Sequence, residues 1–235
     1  MLENPAPDWI IKTKLAPPKL SGSLLQRQRL LDRFQESTPY TLSLIHAPAG
    51  YGKTILLKQW YDLAITNNMA AAWLSLEEDD NQPEIFAYYL AAALAKAGIP
   101  SPLLNTLTNR TPETQKIKSL AAGFINRIAA CPKNVVIFLD DYHKISDANT
   151  NALLKAMVVH APDNLRIIIA SRKTLAFSTA GFKANHYFEE VTSADLKLTL
   201  SEFSLLLTTE ISDKNLLYVW DRIEGWPIAA KIVNH

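Results

Sequence analysis

Apolar residues along the 235-residue chain switch repeatedly between two periods, and the switches mark out its elements. Residues 1–20 carry Pro5, Pro7, Pro17 and Pro18 with no sustained period, which predicts an extended arm outside the core. Leu24, Leu25, Leu30, Leu31 and Phe34 then recur at helical spacing among Arg27, Arg29 and Arg33, so a short amphipathic helix is expected. Compact apolar runs at 41–47, 70–76, 135–139 and 165–170 read as strands, the third apolar enough to be buried on both faces. Between them lie helical patterns. One follows the loop after residue 47 and ends at Asn67 and Asn68; another runs from near Pro83 to Gly98. A third starts at Thr111, Pro112 and Glu113 and reaches Ala130, and a fourth spans about 148–159. Strands alternating with helices of this length predict a parallel sheet covered on both faces, an α/β three-layer arrangement.

The pattern changes after Ser171. Residues 172–192 are polar and irregular, and the segment 196–198 is the next strand candidate, at a sheet edge. Thr199 and Glu202 have capping-box spacing for a helix to about Leu207, and Ser212 can cap another that runs to Ile223. Gly225, Trp226 and Pro227 interrupt that run before a last helical stretch. The expected organisation is therefore an arm at 1–20, a nucleotide-binding domain at 21–195, and an edge strand with the beginning of a helical domain at 196–235.

Composition narrows the function classes. Twenty-four Lys and Arg against twenty-three Asp and Glu leave a net charge of +1, which offers no global surface for nucleic acid or anionic lipid. Cys131 is the single cysteine, so neither an internal disulfide nor a multi-cysteine metal site can form. The first twenty residues lack the apolar stretch of a signal peptide, and no run approaches a membrane span. A cytoplasmic protein is expected. The five histidines show no metal-ligand spacing, and neither a nucleophile elbow nor a helical His-Glu-x-x-His occurs.

Ala47-Pro48-Ala49-Gly50-Tyr51-Gly52-Lys53-Thr54 fits the phosphate-binding loop pattern except at its first position, where Ala47 replaces glycine. Gly50 and Gly52 let the backbone curl so that successive N–H groups face phosphate oxygens, and the following helix adds its positive end. Lys53 would reach the β- and γ-phosphates, and the Thr54 hydroxyl would join a magnesium shell. The strand at 135–139 runs into Asp140 and Asp141, the acids such a loop needs as its complement. Asp140 would hold the metal, while Asp141 is either the group that polarises an attacking water or a turn cap. Arg172 would emerge near the γ-phosphate if its strand lies between the other two motif strands; otherwise it is a solvated loop arginine. Arg27 and Arg29 either approach the base and ribose or form the wet face of a helix. The ligand set is ATP or ADP with Mg2+.

With these residues in place, the chain resembles the N-terminal ATPase module of the maltose-regulon-activator-like bacterial transcription activators. These are signal-transduction ATPases with numerous domains, often ending in a LuxR-type DNA-binding domain. The resemblance runs through Lys14, Leu15 and Pro17, Arg27 and Arg29 to Leu31, the loop at 47–54, Trp73 to Leu76, and Asp79 to Asn81. It continues in Asp140 to His143, Ser171 with Arg172, and Gly225 to Pro227; Ala47 is shared by that family's loop. It implies a P-loop sheet of the additional-strand type with order 5-1-4-3-2. It also implies a switch: ADP holds a resting monomer, an inducer and ATP promote self-association, and Pro227 and its neighbours approach the nucleotide. The winged-helix, sensor and DNA-reading domains of that family have no counterpart here, so the chain is expected to be the N-terminal part of a longer polypeptide. DNA would be reached only through an absent C-terminal domain and the small-molecule or protein inducer through absent domains, and no membrane is engaged. A fast mechanical or metabolic ATPase and a non-hydrolysing scaffold are the rival readings.

Overall fold

The computed structural model describes residues 9–20, 24–35, 41–99, 113–185, 187–207 and 213–233. Its centre is a parallel sheet of β1 (Leu42–His46), β2 (Ala70–Ser75), β3 (Val135–Asp140), β4 (Leu165–Ser171) and β5 (Phe188–Thr192). The order is β2-β3-β4-β1-β5, which is 5-1-4-3-2 read from the other edge. Helices α1 (Gln28–Gln35) and α2 (Lys53–Thr66) cover one face, and α3 (Pro83–Lys96), α4 (Glu113–Ala129) and α5 (Ala148–Val159) cover the other. Short helices α6 (Ala180–Ala184), α7 (Ser193–Leu196) and α8 (Leu200–Ser204) lead to α9 (Asp213–Ile223) and α10 (Pro227–Val233). Thr111, Pro112 and Ser212, expected as helix starts, lie outside the described residues.

Side-chain alternation explains the two layers. In β3, Val135, Ile137 and Leu139 join the core beneath α3 to α5, while Val136 and Phe138 face α2 with Trp60 and Trp73. Phe138 is fully buried and stacks on Trp73 at 6.2 Å, so its truncation to alanine would cost about 3–5 kcal/mol. Because all five strands run the same way, with His46 paired to Ser171 and to Thr192 and Ser75 to Asp140, their carboxyl ends form one edge. Every loop carrying a motif leaves from that edge. Helix α5 begins at the expected position because Asp147 accepts the Thr150 amide at 2.6 Å, and the Thr199–Glu202 capping box starts α8.

Three expectations are corrected. The described part of the arm is not outside the core: Ile10 and Leu15 are buried with α3 and β2, around a 3-10 turn at Lys12–Leu15. Lys14 enters with them because Asp80 receives its ammonium at 2.6 Å, so a charge that would bar burial alone is buried as a pair. The edge strand is β5, inside the stretch read as irregular, and residues 196–198 hold the end of α7 and extended chain instead. β5 escaped notice because it carries Glu189, which is buried and bonded by Arg33 at 2.8 Å and by Arg166 at 3.3 Å. The amphipathic helix starts at Gln28 rather than Leu24, since Leu25 turns away to a separate cluster with Leu198, Phe203 and Ala230. That cluster unites α8, α9 and α10.

Candidate nucleotide-binding site

The loop from Ala47 to Gly52 joins β1 to α2 at the carboxyl edge of the sheet. Gly50 and Gly52 stand at φ +81° and +78°, backbone that residues with a Cβ rarely adopt, and this double left-handed turn makes the cradle. Lys53, buried at the helix start, donates from Nζ to the Pro48 carbonyl at 2.9 Å and so lies across the loop. Its pKa is lowered, by burial first and then by the charge of Arg172, against the opposing pull of Asp141 and Asp140. Thr54 donates from Oγ1 to Asp140 Oδ1 at 3.1 Å, which joins the loop to the β3 acid.

Asp140 is buried, and burial together with the neighbouring Asp141 raises its pKa to about 6, against the Thr54 hydroxyl, the Asp141 amide and Lys53. Such a carboxylate gains by meeting a cation. A hydroxyl and a buried carboxylate held together are oxygen donors of the kind a hard divalent ion takes beside phosphate, so the residues fit Mg2+. Among the described residues no group of three or more His, Cys, Asp or Glu could hold a metal without such help. Asp141 has φ +55°, caps the 3-10 turn at Tyr142–Lys144, and turns its side chain toward solvent. Arg172 leaves β4, which does lie between β3 and β1, and its charge is felt at both Lys53 and His143.

Two residues join this group that the sequence reading considered otherwise or not at all. His143, found without metal-ligand spacing and otherwise quoted only within the family resemblance, has a side chain nine-tenths buried with Nδ1 3.7 Å from Asp141 Oδ1. Burial lowers its pKa; Asp141 opposes this, and Arg172, Lys144 and Lys53 reinforce it, so the ring is neutral at pH 7. The signal available in the sequence was its place two residues after the paired acids. Ile228 in α10 donates its amide to the Gly50 carbonyl at 3.2 Å. Trp226 packs beside it, 6.4 Å from the Tyr51 ring, so the segment from Gly225 to Pro227 lies on the phosphate loop. No local pattern marks Ile228.

Arg27, expected either near the base and ribose or on a wet helix face, is held by protein groups. Its Nε bonds Glu202 at 3.2 Å and its Nη2 bonds the Lys197 carbonyl at 2.6 Å. Arg29 reaches the same carboxylate at 2.9 Å and the Asp195 carbonyl at 2.7 Å. Arg27 is largely buried while Arg29 stays exposed on α1, and both guanidinium groups tie the start of α1 to the α7–α8 junction. A cavity of about 1070 Å³ lined by Phe34, Asn164, Arg166 and Phe182 opens at the opposite end of the sheet and holds none of the motif residues. Among the described residues no helix is long and apolar enough to cross a membrane.

A curled glycine loop with lysine and threonine, a strand-end acid bonded to that threonine, and an arginine from the intervening strand define a P-loop nucleoside triphosphatase domain. The chain belongs to the AAA ATPase domain family, which matches residues 22–169. It is similar to the HTH-type transcriptional regulator MalT of Cronobacter sakazakii, 30% identical over 228 residues, covering 95% of this chain and 25% of that protein. The MalT of Vibrio cholerae is 30% identical over 238 residues, covering 96% of this chain and again 25% of the relative. The chain thus spans a quarter of the length of these relatives. Among solved structures it is similar to Cdc6p from Pyrobaculum aerophilum, with a TM-score of 0.48 and 13% identity over 95% of this chain and 54% of that one. The AMPPCP-bound DnaA of Aquifex aeolicus gives 0.45 and 14%, over 88% and 59%.

Proposed function

We propose that this chain is the ATP-binding, slowly hydrolysing switch module of a multidomain transcription activator, one that self-associates when ATP and an inducer are both bound. The observation that carries the reading is the seat of α10 on the phosphate loop, where Ile228 bonds Gly50. A nucleotide filling that loop meets a second structural unit at once, which is what a switch needs and a plain hydrolase does not.

In this reading Lys53 leaves the Pro48 carbonyl for the β- and γ-phosphates, and the loop amides take the remaining oxygens. Mg2+, when bound by Thr54 and Asp140, would neutralise phosphate charge. Asp141 polarises the attacking water, and neutral His143 packs against it and restricts its side chain. Arg172 pairs with the terminal phosphate, the only group that differs between ATP and ADP, and so distinguishes the two states. Slow turnover suits this role because the active state lasts as long as the γ-phosphate. The similarity to regulators named as HTH-type supports a cytoplasmic place and DNA binding through other parts of a longer polypeptide, as does the net charge of +1. The inducer would likewise be met outside these residues.

The test is steady-state turnover with ATP and ADP affinities in four proteins. Wild type should turn over far below the enzyme median of about 10 per second. Asp141→Asn should bind ATP normally and lose hydrolysis, Asp140→Asn should lose magnesium dependence of binding, and Arg172→Ala should shrink the ATP-to-ADP affinity ratio. Turnover near the median would favour a fast ATPase, and ATP intact after long incubation would favour a scaffold.

A further inference from the structure

Asp79, Asp80 and Asn81 follow β2 in the sequence, and Asp80 already holds the buried Lys14. The structure gives Asn81 a specific task. Its Oδ1 accepts the amides of Ser146 at 2.9 Å and Asp147 at 2.7 Å, and its Nδ2 donates to Ser146 Oγ at 2.9 Å. A single side chain thus fastens the turn after β2 to the loop that begins with Asp141. The turn is itself held firmly. Asp80 accepts the Glu77 amide at 2.8 Å and the buried Lys14 ammonium, and Glu78 meets Lys144 at 3.0 Å.

The loop it grips is strained at its head. Asp141 stands at φ +55°, a conformation that non-glycine residues keep only where the surroundings dictate it. Upstream, β3 fixes the chain. Downstream, the first anchors are the 3-10 turn, where the Lys144 amide bonds the Asp141 carbonyl at 3.0 Å, and then Ser146 and Asp147 in the grip of Asn81. Asp147 in turn caps α5, and Tyr142 bonds Asn151 at 3.0 Å in the core. Asn81 binds the loop backbone from outside the segment 141–151.

We propose that Asn81 is a positioning residue for ATP hydrolysis: it holds the 141–147 loop so that Asp141 and His143 face the nucleotide. The inference rests on the hydrolysis reading above. A misplacement of about 1 Å at a reacting group can reduce rate by up to about 100-fold while leaving binding contacts intact. Asn81→Ala should therefore lower kcat by about 10- to 100-fold, with ATP affinity within about twofold of wild type, because the phosphate loop is untouched. Asn81→Asp keeps the acceptor for both amides and should recover most of the lost rate. Hydrogen exchange gives a readout independent of turnover: amides at 141–147 should exchange faster in Asn81→Ala, and those at 47–54 should not.

A kcat of wild-type size in Asn81→Ala would overturn the inference, as would unchanged exchange at 141–147. Equal losses of ATP affinity and turnover, with no rescue by aspartate, would also overturn it, since they mark general loosening. Absence of turnover in wild type itself would strike the hydrolysis reading, and this inference with it, before any variant is compared.

Discussion

Replacing Gly50 with alanine should break the contact between the phosphate loop and α10, and two separable terms set the size of the effect. The first is local: at φ +81° an L-residue carries about 1–2 kcal/mol of strain, whether or not α10 is docked. The second exists only when it is docked. The new methyl would lie 2.7 Å from Ile228 Cγ2, 3.1 Å from Trp226 Nε1 and 3.2 Å from Ile228 Cβ, where carbon atoms prefer about 3.5–4.0 Å. Rotation of the Ile228 side chain cannot clear its own Cβ, so α10 must shift, an overpacking cost of about 1–3 kcal/mol. The sum is about 2–5 kcal/mol for Gly50→Ala. Ile228→Ala removes the shortest contact, and in the double variant the clash term should shrink while the strain remains. A double-mutant cycle from urea unfolding should therefore show the double variant less destabilised than the sum of the singles by about 1–2 kcal/mol. Hydrogen exchange at 225–233 should rise in Gly50→Ala and fall back in the double variant. Strict additivity, with exchange at 225–233 unchanged by Gly50→Ala, would refute the seat of α10 on the loop.

Two further outcomes follow from the same geometry. Lys53→Ala should keep its far-ultraviolet dichroism and lose ATP affinity by about 10- to 100-fold, the worth of a hydrogen bond to a charged group at about 1.5–3 kcal/mol; wild-type affinity in the folded variant would remove Lys53 from the phosphate cradle. Burial alone would raise the pKa of Glu202, but Arg29, the Thr199 amide and Arg27 outweigh it and hold the pKa below the ordinary glutamate value. The folded pKa is the lower one, so its contribution to stability is present above about pH 4.3 and is lost as pH falls through the folded value. Trp220 fluorescence should report release of α8 to α10 in that acid window, and an identical profile in Glu202→Gln would exclude Glu202 as the cause.

What the sequence made legible and what it hid divide along one physical line. The strands at 41–47, 70–76, 135–139 and 165–170, the helix at 148–159 and the loop at 47–54 are specified by neighbours within a few residues. Periodicity and spacing therefore carry them. The misses are charges whose partners are distant in the chain. Glu189 disguised β5 because its counterions come from Arg33 and Arg166. The arm's prolines and lack of a period hid its packing, and the burial of Lys14 depends on Asp80, 66 residues away. Nothing local announced that Arg27 meets Glu202, 175 residues on. In the site itself, Thr54 and Asp140 were readable from motif spacing, whereas Asn81 and Ile228 act through contacts that only the fold creates.

Among the described residues, the contacts between the helical segment and the nucleotide-binding sheet include the arginine clamp on Glu202 and the seat of α10 on the phosphate loop. The pairing of Arg27 and Arg29 with Glu202 ties α1 to the start of α8, with carboxylate and carbonyl partners that include no phosphate-loop residue. A bound nucleotide has no way to alter its affinity for either arrangement of that pairing, so it contributes equally to both states and shifts nothing. The Ile228–Gly50 bond lies on the loop whose amides would turn toward phosphate, next to the Lys53 that would exchange the Pro48 carbonyl for it. In the proposed switch, a difference in free energy between the ATP and ADP states would reach the helical segment there, with Arg172 supplying the part that depends on the γ-phosphate. Leu25 packs in the helical cluster beside that clamp. Under the proposed switch, a contact on the phosphate loop beside a clamp that holds no loop residue would suffice for two arrangements of the helical segment, because only the former would differ between the ATP and ADP states.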